Sequence, residues 1–151
     1  MIYRSHLVFP WGALQILADE EAVFSVARVE VPEEDAENRW SRLAKEELRR
    51  YFAGTLKTFT VPIRPSGTAF QQAVWQALRE IPCGAAVCYQ QIADRIGRPT
   101  AVRAAAQAIG RNPILILIPC HRVVGKDGSL TGFSAGLDLK ELLLKLEAET
   151  A

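Results

Sequence analysis

Residues 112–125 read NPILILIPCHRVVG. The unbroken apolar run from Ile114 to Ile118 constrains this chain most, because such a run is driven into a core. It is rich in β-branched residues and predicts a short, buried, extended segment. Pro119 donates no backbone hydrogen bond and holds Ile118 extended. The chain therefore delivers Cys120, His121 and Arg122 in succession to the edge of its own core. In a continued extended chain, Cys120 and His121 point to opposite sides. A thiol–imidazole contact then needs a turn at that point, or a water between the two. Either arrangement can draw off the thiol's proton.

The rest of the chain supplies an ordinary core for this segment to join. Of its 151 residues 49% are hydrophobic and 23% charged, the balance of a soluble globular protein. That length fits one domain plus a small appendage, with enough apolar material to fold without disulfides or metal. Three cysteines without paired spacing argue against a disulfide framework and for a reducing compartment. No stretch approaches a membrane span. The N-terminal LVFPWGALQILA is interrupted by Pro10 and Gly12, holds Gln15 and lacks a small-residue cleavage site, so no signal peptide is expected.

Net charge is +1, but it is unevenly spread. From Arg95 to Lys126 there are six basic residues and no acidic one. A solvated face explains this, and so does a phosphate-binding surface.

Residues 12–18 and 21–31 alternate as strands, and Asp19-Glu20 between them makes a hairpin. Residues 36–53 read as an amphipathic helix, with Trp40, Leu43, Leu48 and Phe52 inward and Gly54 as the stop. Pro62, Pro65 and Gly67 mark a loop, and the domain boundary is placed there, giving 1–66 and 67–151. Thr68 with Gln71 forms a capping box for a helix whose buried stripe is Phe70, Val74, Ala77 and Leu78. Cys83 and Cys88 lack the further partners that a metal site needs.

Residues 89–110 then give helix, glycine turn and helix, the helix-turn-helix spacing. Thr100 reads as the N-cap of the second helix and Gly110 as its end. Arg103 in that helix's first turn opposes the helix dipole, a cost that a partner phosphate offsets. Ala104, Ala105 and Ala106 leave a smooth face, suited to packing on another helix or to close approach to a narrow surface. The last helix, Leu137 to Leu146, shows Leu139, Leu142, Leu143 and Leu146 on one side. Leu137, Leu144 and Ala148 lie on the other, with Glu141 in their midst. Glu141 is then either a buried partner for His121 or one half of an exposed pair with Lys145.

The segments IPCHRVVGKDGSLTGFSAGLDLKELLL and YQQIADRIGRPTAVRAAAQAIGRNPILILIPCHRVV closely resemble the O6-alkylguanine-DNA alkyltransferases, from about Phe70 to Glu147. The resemblance implies an α+β fold. A small N-terminal domain of antiparallel strands and a helix precedes a mainly helical domain carrying the helix-turn-helix and the active cysteine. It implies a DNA-repair protein that flips O6-alkylguanine out of duplex DNA and transfers the alkyl group irreversibly to Cys120, once per molecule.

In this resemblance His121 acts as the base through a water, Glu141 orients it, and Asn112 is the hinge before the active segment. Tyr89 helps extrude the nucleotide and donates to the guanine. Arg103 enters the stack, and Thr100, Ala104, Arg111 and Arg122 complete the DNA-binding set with Tyr89. Ile109, Val123, Phe133 and Ser134 line the pocket. The carbonyls of Cys120 and Val123 read the guanine amino group, and the Ser134 N–H faces the O6 side. The helix-turn-helix is expected in the minor groove, contacting mostly phosphate and sugar.

The expected partner is double-stranded DNA containing O6-methylguanine, with O4-methylthymine as a second substrate. No cofactor and no membrane are expected, and the protein is expected to be a cytoplasmic monomer, nucleoid-associated in a prokaryote. The N-terminal part holds His6 but no cysteine, so the structural zinc of some relatives is not expected. Two positions depart from better-known members: Phe133 replaces a tyrosine, and Leu115 replaces a second proline. A lesion binder of the same fold would lack Cys120. A redox-sensing regulator would have no use for the Cys120–His121–Glu141 set, and a cysteine hydrolase none for the basic window.

Overall fold

The computed structural model describes residues 1–150 and divides into two units, Met1–Ser66 and the chain from Gly67 onward. In the first unit, β1 (Tyr3–Phe9), β2 (Gly12–Ala18) and β3 (Val23–Val29) form an antiparallel sheet in the order β1-β2-β3. Phe9 pairs with Gly12, so Pro10 and Trp11 make a two-residue hairpin turn, closed by Gly12 at φ 133°. α1 (Arg39–Phe52) packs on this sheet. Its Asn38 side chain accepts from the Trp40 and Ser41 N–H groups, and the Ser41 hydroxyl accepts from the Asn38 N–H.

Two sequence expectations are corrected in this unit. β1 is an additional strand, hidden because the polar residues Ser5 and His6 are both buried in it. Their polar atoms are satisfied from distant chain: Ser5 by Glu37 and Ser41, and His6 by Asp35 and the Glu33 N–H. The buried face of α1 is Ser41, Ala44, Glu47, Leu48 and Tyr51, with Trp40, Leu43 and Phe52 only partly covered. Glu47 is tolerated there because it accepts from the N–H groups of Thr60 and Val61 and from the Thr60 hydroxyl.

The second unit contains α2 (Ala69–Arg79), β4 (Val87–Cys88), α3 (Tyr89–Arg95), α4 (Val102–Gly110), β5 (Val123–Val124) and α5 (Leu137–Glu149). The Thr68–Gln71 capping box is present, with bonds of 3.1 and 2.9 Å. Val74, Trp75, Ala77 and Leu78 of α2 are buried, and Trp75 Nε1 donates to the Ala108 carbonyl at 2.8 Å, fixing α2 against α4. β4 and β5 pair in parallel, Val87 with Val123 and Cys88 with Val124.

α3 and α4 are joined through Gly97 at φ 74°. Ala101, not Thr100, stands at the N-cap of α4 and makes no side-chain cap bond. The alanine run divides its work: Ala105 and Ala108 are core, whereas Ala104 faces outward beside Arg103.

The run from Ile114 to Ile118 is buried throughout, but it is not a strand. The Leu117 N–H donates to the Leu115 carbonyl and the Ile118 N–H to the Ile114 carbonyl. Ile116 sits at φ 72°, the one non-glycine residue with positive φ among those described. Such a backbone costs a β-branched residue about 1–3 kcal/mol. The segment is therefore a tight turn, and Cys120–Arg122 follow as one turn of 3-10 helix.

Candidate active site

Asn112 builds the approach to Cys120. Its Oδ1 accepts from the Ile114 N–H at 2.9 Å, and its Nδ2 donates to the Ile118 carbonyl at 2.7 Å and to Cys120 Sγ at 3.1 Å. One buried amide thus sets the turn and places a donor on the sulfur. Cys120 is 4% exposed. Burial pushes its thiol up to about 11, and the Asn112 hydrogen bond and the Lys140 charge offset only part of that rise.

The 3-10 turn settles the orientation of the next residue. His121 is fully buried, and its Nε2 lies 2.6 Å from Glu147 Oε2. Arg122 reaches the same carboxylate, from Nε to Oε1 at 2.8 Å and from a terminal nitrogen to Oε2 at 3.0 Å. Its other terminal nitrogen donates to the Ile81 carbonyl at 2.6 Å. This fork is the geometry of an ionised carboxylate. His121 therefore donates Nε2–H to Glu147, and its Nδ1 carries the lone pair. Nδ1 is the one buried side-chain nitrogen or oxygen among the described residues without a hydrogen-bond partner. Burial holds the imidazole below its usual range, Glu147 acts in the opposite sense, and Arg122 and Lys140 reinforce the lowering.

Lys140 was not singled out by sequence, yet it is wholly buried. Its Nζ donates to the Val123 carbonyl at 2.6 Å and to the Thr131 carbonyl at 2.8 Å, tying the segment after Cys120 to the loop 125–136. Burial lowers its affinity for a proton, and the negative charge of an ionised Cys120 would raise it. Tyr89, at the start of α3, also donates its hydroxyl to the Thr131 carbonyl, at 3.2 Å.

The structure thus joins Asn112 to Cys120 and seats the neighbouring His121 on Glu147, with Ile109 and Val123 buried. Glu141 is exposed and is not the partner of His121; that carboxylate is Glu147. The buried stripe of α5 is Leu139, Lys140, Leu143 and Glu147, while Leu137 and Leu142 are exposed, so α5 is not apolar on two sides. Arg122 was expected on the DNA surface; it is 6% exposed and engaged with Glu147. Arg103, Arg111, Thr100 and Ala104 are exposed, as is Ser134, and Phe133 is partly covered. His6 is engaged by Asp35 and Glu33, and among the described residues no group of three or more His, Cys, Asp or Glu is placed to hold a metal ion.

A buried thiol with a donor on its sulfur, a neutral imidazole seated on a carboxylate and a neighbouring pair of helices with a basic exposed side define a protein with a nucleophilic cysteine beside a helix-turn-helix. The family model for the DNA-binding domain of 6-O-methylguanine DNA methyltransferase matches residues 69–149. A methylated-DNA–protein-cysteine methyltransferase of Methanosarcina acetivorans is 48% identical, over 97% of this chain and 98% of its own. The crystal structure of Mycobacterium tuberculosis O6-methylguanine methyltransferase superposes with a TM-score of 0.90 at 38% identity, over 100% of this chain and 95% of that one. A crystal structure of the same organism's OGT in complex with DNA superposes at 0.88, also at 38% identity, over 97% and 92%. The chain belongs to the 6-O-methylguanine DNA methyltransferase family, and its α+β fold is that of these relatives.

Proposed function

We propose that this protein repairs alkylated DNA by moving the alkyl group from guanine O6 to Cys120, which is consumed. The observation that carries the reading is the amide of Asn112 on Cys120 Sγ, with His121, seated on Glu147, next along the chain. The target oxygen lies inside a base stack, so the nucleotide is rotated out, at a cost of a few kcal/mol. Arg103 projects from the first turn of α4 and fills the vacated space, offsetting part of that cost. Ala104 lets the helix lie close to the minor groove, and Arg111 and Thr100 meet the backbone.

In the pocket the Cys120 thiol gives its proton, through a water, to the free Nδ1 of His121. Sulfur then bonds the alkyl carbon as the carbon–O6 bond breaks, and the electron pair leaves with the guanine. Alignment of sulfur and carbon is mostly a proximity effect. Tyr89 turns its hydroxyl from Thr131 to the departing base and stabilises its charge, and the base finally takes up the proton. Lys140 fixes the Val123 carbonyl that reads the guanine amino group. The product is a thioether with no good leaving group, so the protein acts once, and the DNA supplies the alkyl group without a cofactor. O4-methylthymine offers the same alkyl–oxygen bond and is a second substrate. The chain acts as a monomer.

The test mixes the protein with a duplex carrying one O6-methylguanine and records intact mass. One added methyl on Cys120 per repaired guanine is expected, and none with Cys120→Ser. Unchanged mass with tight binding would make the protein a lesion binder.

A further inference from the structure

We propose that Arg122 is a positioning residue for this transfer: its guanidinium, laid as a fork on Glu147, offsets that carboxylate's charge so that His121 keeps Nδ1 free of hydrogen. The inference rests on Cys120 being the alkyl acceptor. It replaces a DNA-contact role, because Arg122 is 6% exposed and all its bonds run inward, to Glu147 and to the Ile81 carbonyl.

Glu147 Oε2 is shared: it accepts from His121 Nε2 at 2.6 Å and from Arg122 at 3.0 Å, while Oε1 accepts from Arg122 at 2.8 Å. The side chain of Glu147 is 1% exposed and that of His121 is 0% exposed. A buried carboxylate facing only an imidazole would be relieved of its charge by a proton taken up on the pair. The imidazole would then become a cation with hydrogen on both nitrogens. Nδ1 could no longer accept the proton of Cys120, and the base would be lost.

A guanidinium already holding the carboxylate removes that driving force, and it does so without competing for Nδ1. The charged groups bearing on His121 are Glu147 and Lys140 from α5 and Arg122 beside it. Two cations and one anion keep the resting imidazole neutral, so that Nδ1 is free when the Cys120 proton is released. Arginine suits the place better than lysine only in its fork; the charge is the part that acts on His121.

The experiment uses the full chain with nitrogen-15 histidine and follows Nδ1 of His121 by NMR, His6 being the one other histidine. Single-turnover methyl transfer from O6-methylguanine duplex is measured in parallel from about pH 6 to about pH 9, the range in which a histidine changes charge. In the parent, Nδ1 stays unprotonated across the range. Arg122→Met removes the cation and keeps much of the stem. Arg122→Gln keeps a donor for Glu147 and loses the charge. Both are expected to protonate Nδ1 as pH falls, and their rates relative to the parent drop a further ~10-fold between the alkaline and acid ends.

Arg122→Lys restores an unprotonated Nδ1. So does Arg122→Met combined with Glu147→Gln, where no carboxylate remains to be neutralised. Variant-to-parent ratios that are low but equal at every pH would overturn the proposal. So would an Nδ1 signal unmoved in both neutral variants, or full rescue by Arg122→Gln. If Arg122→Met fails to fold, Arg122→Gln decides. If the parent transfers no methyl, the transfer reading falls, while the NMR titration still decides what Arg122 does to His121.

Discussion

Glu147→Gln tests through stability which carboxylate of α5 holds His121. Glu147 accepts three charge-assisted hydrogen bonds, one from His121 and two from Arg122. The glutamine has nearly the same shape, but one of its two acceptor oxygens becomes a donor. That amide nitrogen must face either the imidazole N–H or a guanidinium N–H, donor against donor. Arg122, 6% exposed, also loses its counter-ion. Removing one partner of a buried ion pair costs about 3–5 kcal/mol. A domain of ordinary stability holds only ~5–15 kcal/mol in all. The variant is expected to lose at least about a fifth of such a reserve.

Urea unfolding at neutral pH measures this directly through the midpoint, with the slope unchanged if the native state stays compact. Glu141→Gln, on the exposed side of the same helix, is the control and is expected to stay within ~0.5 kcal/mol of the parent. Adding Arg122→Met to Glu147→Gln removes both charges, so the double variant should be more stable than the sum of its parts. A Glu147→Gln variant within 1 kcal/mol of the parent, or a Glu141→Gln variant as damaged as Glu147→Gln, would refute the assignment of the carboxylate.

Three further outcomes are expected. Because burial raises the Cys120 thiol from 9.0 to about 11, the unfolded chain releases this proton first as pH rises; stability is lost between those values, by about 1.4 kcal/mol at pH 10. Urea unfolding of Cys120→Ser should lack that alkaline loss. Lys140→Met removes two bonds from a charged donor, each worth about 1.5–3 kcal/mol, and should slow single-turnover methyl transfer at least ~10-fold; an unchanged rate would deny Lys140 a part in the site. Gly97→Ala has open space for its Cβ but must adopt φ 74°, so it should cost about 1 kcal/mol by thermal or urea unfolding, whereas Gly110→Ala, equally open and without a positive φ, should be neutral or stabilising by up to ~1 kcal/mol.

What the sequence disclosed was local. Thr68 with Gln71, the Gly97 turn and the α3–α4 spacing are decided by residues a few positions apart, and they stand in the structure as the chain reads. β1 was hidden because its buried Ser5 and His6 break the apolar alternation, and their partners come from a segment about thirty residues away. The run 114–118 reads as a strand from its side chains alone, because nothing local announces that Asn112 will fold it back on itself.

The carboxylate was misplaced for a rotational reason. Glu141 and Glu147 are six residues apart, and so about 120° apart around a helix. The leucines of α5 do not mark its buried face: that stripe holds Lys140 and Glu147 beside Leu139 and Leu143, two charged residues that become apolar-compatible only through partners from elsewhere in the chain.

That stripe explains how a thiol as weakly acidic as Cys120 can serve as a nucleophile. A sulfur left ionised in the resting protein would react with any electrophile that reached it, and would be spent. Burial holds the proton on, while Asn112 and Lys140 offset part of that effect without cancelling it. In the proposed transfer His121 takes the proton on Nδ1, the nitrogen that Glu147 leaves free by holding the opposite one. On that reading the thiolate forms in the step that consumes it, with an alkyl carbon aligned before it. α5 contributes both halves of this control, Lys140 on the sulfur's side and Glu147 on the imidazole's, seven residues or about two turns apart along one helix face. On the proposed mechanism the sulfur is thus ionised only against the substrate for which it is used up.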